Sequence, residues 1–232
     1  MAIRPFCFAL SALAATGLIA ACSAVPDRRG ASRPPAPQPQ GPSTPQVAES
    51  SAGRQCLARL SATGAGYSLL PDRYPEAGCS NLNTVQLSSI PSDAATLMIS
   101  NLGPVTCEVS NAFAGWARFG VDRAARQIMG TPLRSIETFG SYSCRNVAGT
   151  NRRSAHSTAA AIDVSAFVLE DGRRITLVNG WNSGDAAERQ FLRAVHRSAC
   201  RRFGTVLGPE YNAAHRDHLH LESVADGSSY CR

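Results

Sequence analysis

The chain of 232 residues contains no lysine; all 23 of its basic residues are Arg. That bias reflects GC-rich coding more than function. Positive charge is also thinner than the formal +6 implies, because residues 55–232 hold 18 Arg against 15 acidic residues. A net of +3 spread over such a stretch is not the footprint of a nucleic-acid binder, so no nucleic-acid partner is expected. Aromatics make up only 6%, but the hydrophobic fraction of 44% suffices for one buried core and excludes wholesale disorder. No Cys-x-x-Cys occurs, which weakens zinc-ribbon and thioredoxin-like readings. After residue 21 no apolar run approaches the ~18 residues of a membrane-spanning helix.

What is present begins with a targeting segment, residues 1–21. Arg4 is its only charge and an apolar run follows from Phe6 to Ala21. It ends Ile19-Ala20-Ala21-Cys22, which resembles the bacterial lipoprotein signal. The resemblance implies cleavage before Cys22, lipid on that thiol and, with Ser23 rather than Asp next, an outer-membrane address facing the periplasm. Several acyl chains at about 0.8 kcal/mol per buried methylene would hold it stably. An ordinary signal peptide followed by a chance Cys is the other reading. Residues 22–54 are rich in Pro, Ser, Gln and Ala and read as a tether. As a coil it spans roughly 30 Å and fully extended about 100 Å, suiting a domain at work near a membrane surface or serving as a passive spacer.

Six Cys remain in the domain assigned to residues 55–232: Cys56, Cys79, Cys107, Cys144, Cys200 and Cys231. An even number in an exported domain favours disulfides. Pairing neighbours in sequence gives Cys56–Cys79, Cys107–Cys144 and Cys200–Cys231, the last pinning the chain close to residue 232.

Residues 55–104 read as irregular, with a short helix near Cys56–Leu60 and a strand at Thr84–Leu87. Val109, Phe113, Trp116, Ala124 and Ile128 recur at helical spacing, ended by Gly130 and Pro132. Residues 133–144 look extended. Ala161–Leu169 and Arg173–Val178 read as a hairpin around Asp171-Gly172. Ser183 is placed to cap a second helix running to Phe203. His218–Ser223 closes as a strand. The class expected is α+β, with a small, largely antiparallel sheet flanked by helices and stabilised by disulfides.

Four of the five His fall in two places. One is Ser154-Ala155-His156 followed by Asp163. The other is His215-Arg216-Asp217-His218-Leu219-His220-Leu221-Glu222. Strict alternation puts His218, His220 and Glu222 on one strand face, with the two imidazoles roughly 7 Å apart, and Leu219 and Leu221 on the core face. Asp163 lies on the polar side of its own strand, between Ile162 and Val164. Facing His, with His156 on the preceding loop, it completes a His/Asp/His ligand set. Such a set leaves zinc one open position, and zinc lowers the pKa of a bound water toward ~7. A base must then take the proton, and His218 is best placed. Asp217 points to the opposite face if the strand is regular. A bare His-x-His also arises by chance, and His196, on the second helix, reads as structural or surface.

Gly140-Ser141-Tyr142-Ser143-Cys144-Arg145, Ser154-x-His156 with Asp163, Leu207-Gly208-Pro209-x-Tyr211 and His215-x-Asp217-His218-x-His220-Leu221 together resemble the bacterial extensin-like C-terminal domain. Cys56 and Gly78-Cys79 fit its start. That domain is in turn similar to the lysostaphin, D-Ala-D-Ala-peptidase and Hedgehog superfamily. The resemblance implies a Hedgehog/DD-peptidase-like fold, Zn2+ on His156, Asp163 and His220, and His218 as base, with His215 and Arg145 assisting. Arg145 matches an Arg that steadies the substrate carbonyl. The implied partners are peptidoglycan stem peptides, cut at an amide by a monomeric, membrane-anchored enzyme. One departure stands out: the superfamily has Gly where this chain has Ala159. If a positive φ is needed there, Ala159 strains the loop or shifts His156. That favours one alternative, a non-catalytic peptidoglycan-binding module; a disulfide-stabilised structural lipoprotein is a further one.

Overall fold

Ser50 starts the first helix, its hydroxyl accepting the Gly53 N–H at 2.9 Å, and α1 runs Ser51–Ala62. Residues 51–54, read as the end of the tether, are its first turn. The structure, a computed structural model, describes residues 49–232. The targeting segment, Cys22 and the tether up to residue 48 lie outside the described residues. No helix among the described residues is long and apolar enough to cross a membrane.

Six short strands follow α1: β1 (Gly66–Leu69), β2 (Arg73–Glu76), β3 (Cys79–Asn81), β4 (Thr84–Pro91), β5 (Thr96–Ser100) and β6 (Pro104–Thr106). This stretch was expected to be largely irregular. Its strands are short and broken by Gly, Pro and Asn, so each carries too little alternation to be read alone. Helix α2 (Cys107–Trp116) continues in π-helical turns to Met129, where Gly130 stops it at φ +75°. Then come β7 (Leu133–Gly140), β8 (Ala161–Leu169) and β9 (Arg174–Thr176), the last two forming the expected hairpin. Val178 belongs not to that strand but to α3 (Leu177–Ser183), capped by Thr176. Ser183 therefore ends a helix rather than starting one. Asp185 caps α4 (Ala186–Ala199) in a capping box with Glu188. Strands β10 (Thr205–Leu207), β11 (Leu219–Glu222) and β12 (Tyr230–Cys231) complete the chain.

Ten strands form one sheet in the order β1-β4-β5-β7-β8-β11-β10-β12, with β6 beside β4 and β9 beside β8. Only β5–β7 and β10–β12 pair in parallel. The α+β class and the largely antiparallel sheet are as expected, though the sheet is larger than the sequence signalled. Phe113 and Trp116 of α2, Phe167 of β8, Phe191 of α4 and Phe203 are fully buried together, and the Trp116 indole donates to the Val195 carbonyl at 3.1 Å. Truncating Trp116 to Ala should cost about 3–5 kcal/mol.

The disulfides are Cys56–Cys107, Cys79–Cys144 and Cys200–Cys231. Only the third matches neighbour pairing. Cys56 on α1 faces the first residue of α2, where the Asn111 amide donates to both cysteine carbonyls. Cys79, at the turn of the separate β2–β3 hairpin, instead meets the loop after β7. Gly78 makes that turn at φ +76°, and a Cβ on it would collide with the Arg153 side chain.

Candidate metal centre

Strand register builds the centre. Asp163 of β8 pairs directly with His220 of β11, while Gly140, at the end of β7, pairs with Asp163 on the other side. Leu219 and Leu221 are buried in the core, as the alternation required, which turns His220 toward the site. His156 arrives on a 3-10 turn, Ala155–Thr158, capped by Ser154.

His156 Nε2 lies 3.1 Å from His220 Nδ1 and 3.2 Å from Asp163 Oδ2. His220 Nδ1 lies 2.9 Å from Asp163 Oδ1. Ligands about 2.0–2.2 Å from a tetrahedral zinc sit about 3.4 Å from one another, so these spacings fit a shared ion. The second partners of the rings strengthen the fit. His156 Nδ1 is 3.1 Å from the Ser141 carbonyl, an acceptor only, so Nδ1 carries the proton and Nε2 a lone pair. His220 Nε2 is 3.1 Å from Glu222 Oε2, which leaves Nδ1 as the lone pair. Two lone pairs and a carboxylate thus converge, and a cation is what reconciles them. Outer partners that fix ligand tautomers are characteristic of metal centres.

Without an ion a proton does that work. Burial opposes charge on His220, but Asp163 and Glu222 outweigh it and raise its pKa to about 9. Burial likewise works against ionised Asp163, yet the imidazoles of His156 and His220 beside it hold its carboxyl well below the usual range. Glu222 is held low first by the His220 hydrogen bond and, more weakly, by Arg152.

His218 lies just before β11, where the backbone is not yet regular. Asp217 therefore does not point away: its Oδ1 accepts the His218 Nδ1–H at 2.9 Å. His218 Nε2 is then a lone pair, 3.6 Å from Asp163 Oδ1. Phe139, 56% exposed, stands edge-on to this ring at 6.0 Å. His215, on a 3-10 turn, lies 5.1 Å from the His218 ring, and its Nδ1–H donates to Asn212 Oδ1 at 2.7 Å. Burial and then the neighbouring His218 and His220 push its pKa down to about 4.

All three imidazoles of this last segment, with Arg145, border one open cavity of about 860 Å³. His196 stays outside it, donating to the Arg232 carbonyl and packing on Trp181, as its structural reading required. Its neighbours Cys200 and Cys231, like Cys79 and Cys144 beside Glu76, are joined in disulfides. Among the described residues, His156, Asp163 and His220 are thus the close donor group with no cysteine in it.

Ala159 does need the left-handed region: φ is +53° and the residue is fully buried. The conformation costs about 1–2 kcal/mol. It does not displace His156, which reaches both partners; the strain expected at this position is present and the shift is not.

The sheet and its cluster of two imidazoles and a carboxylate, of which His220 borders the cavity, define an α+β domain with a donor group that could hold a metal ion. More particularly, the chain belongs to the family described as "Extensin-like protein C-terminus", whose model matches residues 54–232. No curated protein and no solved structure matches the chain.

Proposed function

We propose that this protein is a zinc-dependent hydrolase of peptidoglycan stem-peptide amide bonds, held at the outer membrane, in the periplasm, as a lipoprotein through Cys22. The observation that carries the reading is the convergence of His156 Nε2, His220 Nδ1 and Asp163, all donors within 4.8 Å of one another, beside an oriented His218. The similarity of its motifs to the lysostaphin, D-Ala-D-Ala-peptidase and Hedgehog superfamily supports the substrate class, and the leader supports the address.

His156, Asp163 and His220 would hold the ion. Zinc, when bound, polarises an amide carbonyl and makes water a stronger acid. His218 accepts the water proton at Nε2 while Asp217 holds its Nδ1–H. As the water oxygen bonds to carbon and the C–N bond breaks, His218 returns that proton to the departing amine. Arg145, on the cavity wall, steadies the charge gathering on the carbonyl oxygen. His215, neutral at pH 7, packs against the His218 ring and adds no positive charge to oppose the proton it takes.

Ala159 favours the alternative, a non-catalytic wall-binding module, but with His156 in reach only its strain remains as support. The test is elemental analysis of the purified protein, with peptidoglycan digestion by wild type, His220→Ala and His218→Ala. Stoichiometric zinc, muropeptide release by wild type alone and zinc retained in His218→Ala are expected. Zinc without cleavage overturns the enzyme reading, and no zinc overturns the centre.

A further inference from the structure

The cavity wall carries Arg145, Arg152 and Arg153, and a single carboxylate, Glu222, which is held by His220. Arg153 is occupied, donating to Glu76 and to the Ala77 carbonyl. The guanidinium groups of Arg145 and Arg152 make no hydrogen bond or ion pair among the described residues, whereas Arg118, Arg123, Arg174 and Arg193 each sit against a carboxylate. Arg152 also extends from an ordered turn. Its carbonyl accepts the Val147 N–H at 2.8 Å, its N–H donates to Thr150 Oγ1 at 3.2 Å, and Asn146 bridges Arg153. A concave wall with three guanidinium groups to one carboxylate, Glu222, which His220 holds and Arg152 acts on only at longer range, concentrates anions.

We propose that the cavity takes an acidic peptide, one carboxylate of which is bound by Arg152 on the Glu222 side of His220 while the amide lies against the metal ligands. The position of the amide rests on the hydrolase reading; the carboxylate contact rests on the cavity itself. Guanidinium matches carboxylate in a two-bond fork, and the volume falls within the range of clefts that enclose an organic ligand. Arg145, on the same wall and close enough to His215 to act on its charge, is left for the carbonyl. The preference is therefore for stem peptides with a free carboxylate near the cut bond over the same peptides amidated there.

The test is calorimetric titration of the zinc-loaded full chain with a soluble muropeptide, its carboxylates free or amidated, against wild type, Arg152→Gln and Arg152→Lys. A charge-assisted contact predicts binding weakened roughly tenfold or more by amidation. Arg152→Gln should show the same loss for the free acid and less than about twofold change for the amide, with partial retention in Arg152→Lys. Melting curves confirm that the variants are folded. Equal binding of both peptides by wild type, no binding of either, or equal losses for both in Arg152→Gln overturns the proposal. So does displacement of the peptide by equimolar inorganic phosphate, which would mark a general anion site. Peptide binding through Arg152 without cleavage would overturn the hydrolase reading and leave this one standing; cleavage indifferent to amidation would do the reverse.

Discussion

His156 Nε2 and His220 Nδ1 meet at 3.1 Å with their other nitrogens' protons already given to the Ser141 carbonyl and to Glu222. Two lone pairs at that distance repel unless a proton or a metal stands between them and Asp163.

The metal-free protein should therefore lose stability toward alkaline pH. His220, raised from 6.5 to about 9, contributes fully below pH ~6.5, and its contribution disappears as pH climbs through 9. The shift corresponds to roughly 3 kcal/mol, counted once because Asp163 shares the same contact. At the acid end, the depressed Asp163 contributes above ~3.8, and its contribution is lost as pH falls through its lowered pKa. Melting temperatures of chelator-treated protein from pH 6 to 9.5 check this, and a flat profile contradicts it. Zinc displaces the proton, so calorimetry near pH 7.5 in buffers of different ionisation enthalpy should show about one proton released.

Glu222→Gln keeps a hydrogen-bond acceptor but removes the charge that orients and enriches His220. Zinc affinity should fall about 10- to 100-fold with the fold intact. Competition with a chromogenic chelator reads the constant; an unchanged value would show that Glu222 does not support the ligand.

Replacing Cys79 and Cys144 together by Ser frees the loop that carries Ser141 and Arg145 from the β2–β3 hairpin. A stability loss of about 2–5 kcal/mol is expected. Zinc should bind more weakly as well, because Ser141 sets the His156 tautomer. Denaturant unfolding and chelator competition report the two effects separately.

Ala159→Val puts a β-branched side chain at φ +53° in a fully buried position. Strain and overpacking should together destabilise by about 2–4 kcal/mol. A melting temperature within a degree or two of wild type would mean the loop relaxes freely.

The close grouping of His156, Asp163 and His220 was legible because its strands obey simple periods. Leu219 and Leu221 announce the buried face of β11, Ile162 and Val164 that of β8, and the His and Asp between them have to face the other way. What alternation could not reveal is anything irregular. Asp217 looked turned away because the strand was assumed to include His218; it starts one residue later, and the bend brings Asp217 onto the imidazole. Ser141 acts through its backbone carbonyl, for which side-chain identity carries no signal. Strands such as β5 and β6, with five and three residues, take their place from neighbours distant in sequence. The same holds for Cys56, whose partner lies beyond six intervening strands, β1 to β6.

Strand β12 brings Tyr230 to the cavity rim, while the Arg232 amide and carbonyl are bonded to Val206 and Gly208. Any polypeptide attached beyond Arg232 would begin two residues from that rim. Purification handles and fluorescent reporters placed there would act as obstructions, and assays on such fusions would underestimate whatever the cavity admits.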